Sequence, residues 1–485
     1  MTVKIIFVPV MVLLSAAVTA AASIPAADYG PVASWQTGRE GGDRFKALGP
    51  FVERSSLPNK GGCLSFRPFF NIAEYPESER SLVEILWPVF SHKTFRNETH
   101  WRFLTVIGHD FDNTDDDSRW RLMGFPFVYA GRSAQGENYF AFFPLGGKIN
   151  EFMGMDTIVF ALFPLYVHSR AGNLSSHTFL WPLISRTTGK DVSRFRVFPL
   201  YGRSVNEGRW RKQFILWPFW NSVKYDYPDA KGGGFILFPF FGHAAVGDQS
   251  TWWIVPPFFR WSETPDQRLV YCPWPFIQYA SGKIDKLYIW PIWGRRTSGE
   301  GKNRTTSGFF LWPLGWTYRT ARDEGELFRF MFLPFIRSET VAAKPSNGPG
   351  EPSTSSRYFK FWPVGSYRRH GEAARFRVLD LWPGSDSEYV DRTWAPFWTI
   401  YDGSWSPERA DHEFLWGLIR YNRYPAGGRH FSVFPLFSTD SSVERESRRW
   451  SILKGLIGYE RDAGGKTLRL LYIPIGLPGN GKDKE

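Results

Sequence analysis

A proline-centred phrase recurs along nearly the whole chain, and any fold must accommodate it at every copy. It reads Phe195-Arg-Val-Phe-Pro-Leu-Tyr-Gly-Arg-Ser204 and returns as Phe214-Ile-Leu-Trp-Pro-Phe-Trp220 and Leu287-Tyr-Ile-Trp-Pro-Ile-Trp293. The pre-proline residue is aromatic in most copies, as in Trp87-Pro88, Trp181-Pro182, Trp217-Pro218, Trp290-Pro291, Trp312-Pro313 and Trp362-Pro363. Copies run from Pro50 to Pro474, with glycine at the marker at Gly108, Gly417 and Gly455. Their mean spacing of about 19 residues is that of a repeat architecture.

Each phrase is rich in aromatic and β-branched residues and is followed by a polar turn cluster such as Thr188-Gly-Lys-Asp191 or Ser281-Gly-Lys283. Strand, tight turn, strand follows, and turns that short join only antiparallel neighbours. Read this way, the chain is all-β: an antiparallel up-and-down meander of about 22 strands built from ~19-residue repeats. Proline lacks a ladder donor and glycine packs poorly in a strand, so each strand is expected to kink at its central Pro or Gly. Apolar residues flank the marker on both alternating faces, which predicts a centre covered on both sides. An open meander would expose two edges, so closure into a ring or flattened barrel is expected.

The amino terminus, with Lys4 ahead of the apolar run Ile5 to Val18 and small residues before Ser23, reads as a secretory signal over residues 1–22. A flexible lead-in over 23–44 and a single repeat-built domain over 45–478 follow. The Ser, Thr and Pro-rich stretch 339–356 is expected to be a disordered insertion, and 479–485 a polar tail. Export places the protein in a bacterial-type periplasm or outer membrane. Its two cysteines, Cys63 and Cys272, cannot form a disulfide framework in a chain of 485 residues; a bridge and two separate thiols both stay open.

The net charge of +12 points to an anionic partner such as acidic lipid, lipopolysaccharide or glycan rather than nucleic acid. Basic residues just beyond the marker, among them Arg186, Arg203, Arg260 and Arg295, would form rims on both sides of the sheet if alternate strands run in opposite directions. Charges also stand where other copies carry apolar groups, at Asp380, Arg392 and Glu413, marking either a register change or a binding site.

No catalytic signature is present: there is no His-x-x-x-His pair, Gly-x-Ser-x-Gly elbow or phosphate loop. No cofactor is expected, with one reservation: the acidic run Asp110 to Asp117, through Asp110, Asp112, Asn113 and Asp115, offers oxygen ligands for Ca²⁺ but lacks the glycine and distal glutamate of an EF-hand. The expected function is a non-enzymatic envelope protein that serves as a scaffold or as a binding surface for lipid, glycan or protein. An outer-membrane pore or transporter and a carbohydrate-binding or carbohydrate-active protein are the alternatives.

Overall fold

The computed structural model describes residues 28–477 apart from 38–42, 57–60, 105, 113–118, 229, 323–324, 344–354, 426, 443–445 and 463–464. The leader and the polar tail therefore lie outside the described residues. The chain is all-β: its described residues hold 46 strands and two short α-helices, Glu388–Thr393 and Ala395–Trp398. It forms two compact units: Met1–Trp87 with Glu372–Glu485, and Pro88–Gly371. Pairing is antiparallel and joins consecutive strands, as in Tyr201–Asn206 with Trp210–Ile215 and then with Trp220–Tyr227.

The expected strand number is corrected by the place of the proline. Strands are only 5 to 8 residues long through most of the chain, and the marker lies in the turn between two of them. Strand Trp210–Ile215 ends before Leu216-Trp-Pro-Phe219, and Trp220–Tyr227 begins after it. In that turn Leu216 takes a φ of 49°, the Trp217–Pro218 peptide is cis, and the Phe219 N–H donates to the Leu216 carbonyl at 2.8 Å. A cis proline at the third position of a reverse turn is type VI geometry. Most phrases are thus hairpins rather than kinked strands, and in them the missing N–H costs no ladder bond.

Two glycine copies solve the same reversal differently. At Leu415–Gly417 and Leu453–Gly455 the chain turns through left-handed pairs, Trp416 (φ 56°) with Gly417 (φ 93°) and Lys454 (φ 55°) with Gly455 (φ 108°). Four other markers are not hairpin turns, and one of them, Gly108, lies within strand Ile107–Asp112. Pro396 opens a helical turn, where its fixed φ fits, Pro383 lies in an irregular segment, and Pro474 lies in the last strand, whose open edge tolerates a missing donor.

The expected closure is not found. The first strand, Asp28–Tyr29, pairs with Ala33–Thr37, the last, Ile473–Leu477, pairs with Gly465–Leu470, and the sheet stays open. Residues 28–29, 33–37 and 43–44 of the expected lead-in are in strands, and strand Ile336–Ala343 runs into the start of the expected insertion. Both cysteines are free, Cys272 exposed and Cys63 partly buried.

One glycine shows how tightly the faces are packed. Gly202 lies opposite Phe214, and a Cβ added there would sit 2.1 Å from the Phe214 ring. The aromatic ring covers the glycine, as in other β-sheets where an aromatic side chain compensates for a bare strand position. Gly202→Val is expected to destabilise the Pro88–Gly371 unit by about 1–3 kcal/mol through overpacking, read as a lower urea midpoint.

Candidate functional site

Because each repeat is a hairpin, every proline turn of the Pro88–Gly371 unit comes to the same edge of its meander. These turns are bonded to one another. The Leu216 N–H donates to the Leu200 carbonyl of the preceding turn at 2.7 Å, and the Trp217 N–H to the Pro199 carbonyl at 2.7 Å. The same link joins Leu180 to Leu165, Val255 to Phe240, Leu311 to Ile292 and Leu333 to Leu314, and it recurs from Val89 through to Trp362. The rim therefore uses its own backbone groups and presents side chains. Those side chains are large, apolar and exposed: Leu216 is 54% exposed, Phe219 55%, Phe240 64% and Ile292 61%. The expected covering of the phrase on both faces does not occur at the turn, because reversal throws its side chains outward.

Residues directly opposite in antiparallel strands share a face, so the pairing defines rows parallel to this rim. On one face the row beside the rim runs Phe179, Ile184, Val197, Tyr201, Ile215, Trp220, Leu237, Phe241 and Ile254. Two residues farther from the rim the row is mixed, with Arg186, Phe195, Arg203, Gln213, His243, Trp252, Trp261, Tyr279 and Arg295. A third row, through Thr188, Ser193, Arg211, Lys224, Ser250, Glu263 and Arg268, is mostly polar, with Val205 and Ala245 as its apolar members. Polarity thus rises on balance with distance from the proline turns.

This placement alters the expected basic rims. Arg186, Arg203 and Arg295 do not alternate between two edges; they stand in one row of one face, because a hairpin repeat returns equivalent positions to the same edge. Arg260 is on the opposite face, paired with Trp253 and Tyr271, with its guanidinium 5.5 Å from the Trp253 ring centre.

Asp380, Arg392 and Glu413 belong to the other unit, where a cavity of about 300 Å³ is lined by Arg44, Lys46, Glu53, Arg67, Arg375, Arg377, Asp391, Arg392, Asp402 and Glu413 among others. The short helices supply the reason for charges in this stretch: the strand pattern is interrupted, and Arg392 leaves the helix Glu388–Thr393 to reach Glu84 at 3.0 and 3.3 Å. Glu84 is fully buried. Arg67, itself 5% exposed, bonds the Arg392 carbonyl at 2.5 Å and the Glu53 carboxylate at 2.6 Å. Arg375 grips Asp402 through two bonds of 3.0 Å, and Arg377 bonds Asp391 at 2.8 Å. Lys46 bonds Glu413 at 2.7 Å. Asp380 is 1% exposed and lies 4.0 Å from Arg377.

Burial pushes the Glu413 carboxyl up, but Lys46, Arg420 and Arg44 outweigh it and hold it at about 2. Burial, with Arg44 alongside, draws the Lys46 ammonium down to about 8 despite Glu413. Cations and carboxylates here are largely committed to each other, the pattern of an electrostatic clasp between residues 28–87 and 372–477 rather than of a poised acid and base. A second knot stands on Asp28, which accepts from Arg420 at 2.7 Å, Ser432 at 2.6 Å and His430 at 3.1 Å. Burial opposes ionisation of Asp28, yet these donors hold its carboxyl well below the usual range.

His430 gives the clasp a pH signature. Burial would lower its pKa, but Asp28 and Asp440 raise it to about 9. A cation whose pKa rises on folding stabilises fully below the unfolded value of about 6.5 and loses that contribution as pH climbs through the folded value. His430→Gln is expected to cost about 2–3 kcal/mol at pH 6, and the gap to the unaltered protein to close toward pH 9. The opposite trend of Lys46 is common to both proteins and cancels in the difference. Urea titrations at pH 6, 7.5 and 9.5 measure it.

The acidic run is less available than its composition suggests. The Asp110 carboxylate receives Arg102 at 2.6 Å and His100 at 2.8 Å. Burial raises its pKa, but these two donors lower it further, to a net fall. Asp112 ends strand Ile107–Asp112, and Asn113 and Asp115 lie outside the described residues. Among the described residues no group of three His, Cys, Asp or Glu could hold a metal ion.

The clasp residues that composition did not single out carry a faint sequence signal. Arg67 occupies the pre-proline position that most copies give to an aromatic, and Glu84 stands four residues before Pro88 where Phe195 and Phe214 have their counterparts. Asp28 has none, since nothing local marks it. The chain matches no known protein family and no curated protein. Among the described residues no helix is long and apolar enough to cross a membrane.

Proposed function

We propose that the protein is a non-enzymatic, exported envelope protein that docks on an anionic lipid surface through its proline-turn rim. The observation that carries this reading is a rim whose backbone groups bond to each other while its exposed side chains are leucine, phenylalanine and tryptophan. Lipid tails offer no hydrogen bonds, so an edge can enter them only if its N–H and C=O groups are already paired. The gradient above the rim matches an interface: aliphatic and aromatic at the edge, Trp, Tyr, His and Arg one row back, polar and basic beyond. Aromatic and arginine side chains favour the headgroup level. The charge of +12 supplies attraction to acidic headgroups.

Strand length favours docking over spanning. A strand of about 6 residues rises about 20 Å, whereas crossing the hydrocarbon core takes about 9–11 tilted residues. The test is flotation with vesicles of phosphatidylglycerol and phosphatidylcholine in equal parts. The full chain is expected to float with them and to be partly released by salt, since the rim contribution is apolar. A protein that stays at the bottom of the gradient with these vesicles sinks the reading, and retention through an alkaline wash would favour a spanning pore instead.

A further inference from the structure

The opposite face of the same unit carries a cleft of about 700 Å³ between residues Ser176 and Trp253. Four cationic residues line it, Arg194, Arg196, Arg203 and Lys212, of which Arg203 belongs to the row of the other face, and none of its lining residues is acidic. Arg194 and Lys212 flank Ser204 in one cross-strand row, while Arg196 lies one row nearer the rim, opposite Gly202. Indole and phenol rings hold the charged ends: the Lys212 ammonium is 4.9 Å from the centre of Trp210 and 5.9 Å from that of Tyr225, and the Arg194 guanidinium is 5.9 Å from Trp210. Among the described residues none of Arg194, Arg196 and Lys212 pairs with a carboxylate, and the Arg196 Nε is buried without a hydrogen-bond partner. Towards the rim the cleft becomes aromatic, with Phe198 centred 5.4 Å from Trp217 and 6.4 Å from Phe214.

We infer that this cleft binds one anionic single-chain amphiphile, its phosphate-like head on Arg194, Arg196 and Lys212 and its tail against Phe198, Phe214 and Trp217. Uncompensated cations with an unused buried donor call for an oxyanion, and arginine pairs with one through directed, charge-assisted bonds. The adjoining ring cluster rewards a hydrocarbon tail, which a free phosphate lacks. The inference deepens the lipid reading but stands on the other face of the sheet, so each can fail without the other.

The full chain is titrated with dodecyl phosphate below its micellar concentration, followed by calorimetry and tryptophan fluorescence, with dodecyl maltoside and inorganic phosphate as separate arms. Saturable one-site binding of dodecyl phosphate is expected, with the other two at least about 10-fold weaker because each meets half of the site. Arg196→Gln with Lys212→Gln is expected to weaken dodecyl phosphate by about 10-fold or more while leaving flotation with phosphatidylcholine vesicles unchanged. Should that pair fail to fold, Ser204→Glu puts a carboxylate between Arg194 and Lys212 and is expected to have the same effect. Equal binding of the maltoside, or of a folded variant, overturns the inference. Inorganic phosphate binding as tightly as dodecyl phosphate overturns it too, leaving a simple anion site.

Discussion

A variant with Leu216, Phe219, Leu311 and Leu314 all changed to serine is expected to lose flotation with acidic vesicles by about 1000-fold in partitioning, while unfolding at the same urea concentration as the unaltered protein. The four side chains are 54%, 55%, 55% and 42% exposed. They contribute little to the fold, and immersing the exposed half of each is worth about 1 kcal/mol, hence about 4 kcal/mol together. That is close to three decades in an equilibrium constant. Salt would not imitate this loss, because it screens the basic rows and leaves the rim untouched. Equal flotation of the serine variant would show that binding is electrostatic alone and that the rim does not enter lipid.

The second large effect concerns the buried clasp. Arg392→Ala is expected to destabilise the unit of residues 28–87 and 372–477 by about 3–5 kcal/mol, because it leaves the fully buried Glu84 carboxylate without the cation that bonds both of its oxygens. It also removes one partner of Glu388, which Arg392 reaches at 3.3 Å, and leaves that carboxylate to Tyr75 and Arg80. Replacing both partners, Glu84→Leu with Arg392→Met, is expected to cost much less, since an apolar pair of similar volume leaves no charge to desolvate. Urea unfolding of the double variant and of Glu84→Leu and Arg392→Met alone measures the coupling directly. If the double variant is as unstable as Arg392→Ala, the ion pair is not what holds this contact.

Much of the architecture is legible in one dimension. Aromatic and β-branched phrases separated by polar turn clusters specify antiparallel strands, and the meander follows from connections too short for anything else. What misleads is the proline. Residues such as Phe214-Ile-Leu-Trp-Pro-Phe-Trp220 read as one long apolar strand, because a continuous apolar run has the same composition whether it is buried mid-strand or turned outward at a hairpin. An objection to membrane contact also falls with the kinked strand. A proline at mid-strand would leave a carbonyl unpaired in lipid, whereas in the turn the ladder has no bond to lose and the carbonyls of Pro199 and Pro291 accept from Trp217 and Trp312.

The charged residues divide along the same line. Asp380, Arg392 and Glu413 stand out locally as charges at apolar positions, but two of them find partners far away in the chain: Glu84 for Arg392 and Lys46 for Glu413. Asp28, in a stretch of unremarkable composition, becomes the acceptor of five groups, the Gly30 N–H, Arg420, His430 and Ser432 through its carboxylate and Lys454 through its backbone carbonyl. The sequence by itself determined an all-β, antiparallel, turn-punctuated chain, because strand propensity, turn chemistry and connection length are local quantities. Only the tertiary structure decided that most phrases reverse the chain, that the apolar side chains line one edge, and which charges meet. Those outcomes depend on backbone dihedrals within a turn and on contacts between residues hundreds of positions apart, and neither is written in the spacing of residue types.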